Sequence, residues 1–85
     1  MSMQHQPRNR EKRVQIMQYM LSFATETGRQ PSVREIGMAA GLQTTSTTAG
    51  YLKRMVNEGL LAQSGQSRRN YFVTRFAAEQ LQNAG

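Results

Sequence analysis

The chain has 85 residues, with eleven Lys and Arg against five Glu, no Asp, no Cys and one His, for a formal net charge of +6. That length suits one small domain with one core, and the missing thiols exclude disulfides and Cys-based zinc sites and make an intracellular location the expectation. The cationic balance points to a polyanionic partner, either nucleic acid or an acidic membrane face.

Residues 1–9, "MSMQHQPRN", read as a flexible polar and basic leader holding the lone His5. They lack the apolar core of a signal peptide, and nothing in the chain is long and apolar enough to span a bilayer, so a soluble cytoplasmic protein is expected. From Arg10 to Thr27, "REKRVQIMQYMLSFATET" places Ile16, Met17, Met20, Phe23 and Ala24 on one face of a helix, with Gly28 as its stop. Val14 and Leu21 form a second strip that either widens the core or lies at a subunit contact. Arg8, Arg10, Lys12 and Arg13 read as a nucleic-acid-binding arm or as a solubilising N-terminus.

Pro31 cannot continue a helix. The "SVRE" that follows is a capping box, in which Ser32 accepts from the amide of Glu35 and Glu35 accepts from that of Ser32. It predicts a short second helix over 33–40 that buries Val33, Ile36, Ala39 and Ala40 and stops at Gly41. The next stretch, "LQTTSTTAGYLKRM", is poor helix material, since Thr costs about half a kcal/mol and Gly about one in a helix interior. Yet Thr48, Leu52, Met55 and Val56 fall on one side of a helical wheel, which predicts a helix from Thr45 to Glu58 with Thr44 as N-cap and Gly59 as stop. "LLAQ" (60–63) and "YFVT" (71–74) are strand-capable and joined by "SGQSRRN" (64–70), a hairpin turn by composition. In the tail, 75–85, Thr74 can cap a short helix carrying Phe76, Ala77 and Leu81.

This order predicts a mainly α fold with a small β-hairpin over 10–74: a winged helix-turn-helix, three helices and a wing. The second helix of such a pair enters a DNA major groove, although winged helices also serve as protein-docking modules. The face of helix three turned away from the core carries Ser46, Gly50, Lys53, Arg54 and Asn57. Ser46 and Thr47 can bond base edges or phosphates, Thr and Ala methyls, Thr45 and Ala49 among them, can pack on a thymine methyl, and Lys53 and Arg54 can reach phosphates. Arg68 and Arg69 at the ribbon tip suit phosphates or the minor groove, or else only guard a sheet edge. Arg29 and Arg34 flank helix two as candidate backbone clamps. With neither a nucleophile and its base nor a metal-ligand cluster in the sequence, no enzyme, cofactor or metal is expected.

Through "PSVREIG", "AAGL" and "YLKRMVNEGLL", residues 10–74 resemble the N-terminal DNA-binding domain of the LexA repressor family. The resemblance implies a winged helix-turn-helix that binds double-stranded operator DNA as a homodimer, in a bacterial, phage or plasmid setting. It places Thr44, Ser46, Thr47, Ala49 and Gly50 where the family contacts DNA. The best-known members carry acidic base-reading residues where Ala49 and Gly50 stand, so a different operator is expected. The family's self-cleaving protease domain, with its Ser and Lys pair, has no counterpart before Gly85, so self-cleavage is not expected. The resulting expectation is a transcriptional repressor, with replication, partition or excision control and protein docking as alternatives. Since each base contact discriminates by only about 1 to 3 kcal/mol, useful specificity calls for two copies on a two-part site.

Overall fold

In a computed structural model, which describes residues 7–65 and 70–84, Pro7 opens the first helix, α1 (Pro7–Thr27). This is earlier than the Arg10 start that the apolar pattern predicts. Pro is at ease in a first helical turn because its φ is already helical and its missing N–H would have no partner there. The polar residues after it simply carry no periodic signal. Then follow α2 (Val33–Ala39), α3 (Thr45–Asn57), β1 (Leu61–Gln63), β2 (Tyr71–Val73) and α4 (Arg75–Ala84). The strands are antiparallel, with Leu61 opposite Val73, Ala62 opposite Phe72 and Gln63 opposite Tyr71. This is the winged helix-turn-helix architecture, with the tail as a fourth helix.

Every element contributes to one core. Ile16, Met17 and Met20 come from α1, Ile36 from α2 and Ala40 from its cap, Leu52 and Met55 from α3, Leu61 from β1, Tyr71 from β2 and Ala77 from α4. Burying one Leu or Met side chain stabilises by about 1.5 to 3 kcal/mol. Leu52 and Met55 therefore outweigh the propensity penalties of the Thr-rich turn before them, and α3 is helical from Thr45 onward.

One assignment of a face needs correction. Ala39 is exposed rather than buried, and Gly37 takes its place on the inner face of α2. Phe76 is 56% exposed while Ala77 beside it is fully buried. Helices of seven and ten residues each show the core only a narrow strip. The Leu21 strip of α1 faces the tail: Leu21 and Leu81 share a groove of about 630 Å³ with Gln18, Ser22, Ala78 and Gln82.

Thr74 ends up outside β2 because it has other work. Its amide donates to the carbonyl of Leu60 (3.0 Å), its hydroxyl donates to that of Gly59 (2.8 Å), and the same oxygen accepts from the amide of Ala77 (3.1 Å). It closes the ribbon and caps α4 as the sequence predicts.

Candidate nucleic-acid interface

The site is built from the turn between α2 and α3. The Ser32 capping box forms as expected, with the Ser32 amide donating to Glu35 Oε1 (2.8 Å) and the Glu35 amide to Ser32 Oγ (3.1 Å). At the other end the chain reverses at Gly41, φ +72°. There the amide of Leu42 donates to the carbonyl of Gly37 (2.9 Å) and that of Gly41 to Met38 (3.3 Å). This left-handed cap satisfies helix-end carbonyls and needs a residue without a Cβ. From α1, Lys12 Nζ donates to the carbonyl of Ala40 (2.6 Å) and Gln15 Nε2 to that of Ala39 (3.1 Å). Lys12 is thus neither an arm nor a solubilising charge: it caps α2, where a cation is favoured.

Gly37 of α2 lies directly against the Thr48 side chain of α3. Thr48 is 1% exposed, and its hydroxyl donates to the carbonyl of Thr44 (3.0 Å). A Cβ at position 37 would collide with Thr48 Oγ1. A hydroxyl in a core must be bonded or it costs free energy, and here it is bonded within its own helix.

That packing turns the rest of α3 outward. Thr44 caps the helix by accepting from the amide of Thr47 (3.1 Å), and its hydroxyl donates to Thr47 Oγ1 (3.0 Å). Thr47 is left with its own proton to donate outward. Thr44, Thr45, Ser46, Thr47, Lys53 and Arg54 are exposed, and Ala49 and Gly50 are half-exposed. A Cβ at Gly50 would meet nothing within 4 Å. The face is therefore shallow at its N-terminal half and cationic in its C-terminal half. Arg34, exposed on α2, joins Thr44 and Thr45 around a cleft of about 250 Å³, with Met38, Leu42 and Gln43. Arg68 and Arg69, the expected wing tip, lie outside the described residues.

Sequence reasoning missed a second layer behind α3. Arg13 of α1 grips Glu58, the C-cap of α3, with Nε to Oε1 and a terminal nitrogen to Oε2, both at 2.8 Å. The hydrogen bonds from Arg13 hold the Glu58 carboxyl below its ordinary range, and those to Glu58 raise Arg13. The guanidinium carbons of Arg13 and Arg54 lie 5.9 and 5.2 Å from the Tyr51 ring centroid. Only the spacing of Tyr51 and Arg54, three apart on one helix, was available as a signal. Met38, 73% exposed on α2, carries no signal that separates it from a core methionine.

Among the described residues no three His, Asp or Glu side chains are placed to hold a metal. No helix among them is long and apolar enough to cross a membrane. The outward side of α3 offers hydroxyl groups, methyl groups and cations along one helix.

The family model for the LexA DNA-binding domain matches residues 8–69. Among similar proteins, the LexA repressor of Clostridium perfringens strain SM101 is 43% identical over 53 residues, covering 62% of this chain and 26% of its own length. That of Leuconostoc mesenteroides is 40% identical over 50 residues, 59% of this chain and 24% of its length. That of Pediococcus pentosaceus is 33% identical over 70 residues, 82% of this chain and 34% of its length. The chain thus spans between about a quarter and a third of these relatives. With the match covering both helices of the turn and the ribbon's first strand, the chain belongs to the LexA DNA-binding domain family.

Proposed function

We propose that the chain is a cytoplasmic, sequence-specific double-stranded DNA binder that represses transcription by occupying a promoter, with α3 in the major groove. The observation that carries this reading is the outward face of α3, where small hydroxylated residues from Thr44 to Thr47 precede Lys53 and Arg54. Small side chains let a helix backbone approach base edges, and the cations beyond them suit the flanking phosphates. Ser46 and Thr47 read base edges, Thr45 and Ala49 offer methyl groups to thymine, and Thr44 and Arg34 approach the backbone beside the helix N-terminus. Gly50 marks the closest approach. The wing, with Arg68 and Arg69, lies along the backbone or the adjacent minor groove. Two copies occupy a two-part site, because one such face contacts too few bases to select a promoter. Family membership supports the DNA-binding part of this reading, and the relatives named as repressors support the regulatory part.

The test is a titration of mixed-sequence and selected duplexes at several salt concentrations, with the mass of the complex read alongside. Affinity should fall steeply with salt, by about 0.9 log units per log unit for each phosphate neutralised. Changing Arg68 and Arg69 to Ala should flatten that slope, and the complex should hold two chains. No binding at low salt would replace this reading with a protein-docking role, and a single chain on the selected duplex would remove the two-copy arrangement.

A further inference from the structure

Tyr51 has no place in the reading given so far. It is half-buried, on the flank of α3 between the outward face and the core. Two guanidinium groups come to its ring, Arg54 from the next turn of the same helix at 5.2 Å and Arg13 from α1 at 5.9 Å. They differ in what else they do. Arg13 is spent on Glu58, with two bonds of 2.8 Å and a side chain only 19% exposed. Arg54 is exposed, with its guanidinium carbon over the Tyr51 ring.

We propose that Tyr51 is a positioning residue for the phosphate contact of Arg54: its ring holds the guanidinium against α3, aimed outward, while the Arg13–Glu58 clamp holds the ring. The proposal rests on the DNA-binding reading above and adds a residue that does not itself touch DNA. An unrestrained Arg samples many rotamers and loses that freedom on meeting a phosphate. A guanidinium already stacked on a ring loses less, and stacking leaves its in-plane N–H donors available to a phosphate. The Arg13–Glu58 pair matters in two ways. It fixes the ring from the α1 side, and it neutralises the charge of Arg13, which would otherwise repel Arg54 from the same ring. Glu58 also feels Arg54 directly, and its carboxyl is lowered by both cations.

The experiment is a double-mutant cycle on duplex binding, with folding followed by circular dichroism. Tyr51→Phe keeps the ring and should bind like the parent. Tyr51→Leu keeps apolar bulk but not the ring face, and should lose about two- to fivefold in affinity. Arg54→Ala should reduce the log-log salt slope by about 0.9, and in that background Tyr51→Leu should have no further effect. Equal losses from Tyr51→Leu with and without Arg54 would overturn the proposal, as would an unchanged slope in Arg54→Ala. If the parent binds no duplex, the DNA-binding reading and this proposal fall together. If it binds and only the cycle fails, the proposal falls alone. A signature free of DNA covers the case in which Tyr51→Leu does not fold. The Arg54 side-chain protons should resonate upfield through the ring current in the parent and in Tyr51→Phe, and random-coil shifts there would overturn the proposal.

Discussion

At Gly37 a hydrogen stands where any other residue would drive a carbon into Thr48 Oγ1. That oxygen cannot easily step aside, since Thr is stiff at χ1 and the hydroxyl is bonded to the Thr44 carbonyl. Gly37→Ala should therefore destabilise by about 1 kcal/mol net, as the overpacking cost exceeds the helix-propensity gain of Ala over Gly. Denaturant unfolding checks this. In a Thr48→Ala background the colliding oxygen is gone and Gly37→Ala should become neutral or stabilising. Additive effects in the two backgrounds, within about 0.5 kcal/mol, would show that the two residues do not meet as described.

At the scale of the element, α3 is a helix whose stability comes from one side and whose function is assigned to the other. Leu52 and Met55 are fully buried, while Thr45 to Thr47 are exposed and poor helix formers. Gly50 separates the two demands. Because a Cβ there meets nothing within 4 Å, Gly50→Ala should raise the stability of the free protein by about 0.5 to 1 kcal/mol. The same methyl should weaken duplex binding if α3 lies close against the bases. Thermal unfolding and duplex titration of one variant read both signs, and unchanged or improved binding would take Gly50 out of the interface.

At the scale of the molecule, the Arg13–Glu58 pair ties the first half of α1 to the C-cap of α3. Glu58 has its pKa lowered by the fold from an ordinary value near 4.5. Its contribution is therefore fully present above that value and is lost as pH falls through it toward the folded pKa. With Glu58 at 42% side-chain exposure, solvent screens the pair, and its worth is about 0.2 to 1 kcal/mol. Glu58→Gln should lower stability modestly at pH 7 and remove that share of the acid-induced loss below about pH 5. Unfolding midpoints across pH 3 to 7, roughly the window in which carboxylates titrate, provide the check. An unaltered acid slope in the variant would show that other carboxylates carry it.

What the chain determines locally is legible in its sequence: Ser32 and Glu35 make a capping box, Thr44 caps α3, Thr74 caps α4, and Gly41 and Gly59 end their helices. Each of these joins residues a few positions apart, where spacing along the chain is distance in space. The heptad-like pattern of Thr48, Leu52, Met55 and Val56 likewise determined that a Thr-rich run is helical and which side faces out. Only the tertiary structure decided what meets across elements. Gly37 against Thr48, Lys12 on the Ala40 carbonyl, and Arg13 joined to Glu58 and brought beside Tyr51 all depend on how α1, α2 and α3 cross. Such pairs leave no periodic trace, since a Lys that caps a neighbouring helix and a Lys in solvent look the same in a sequence. The outward face of α3 was therefore readable from the chain, and the layer that holds it in place was not.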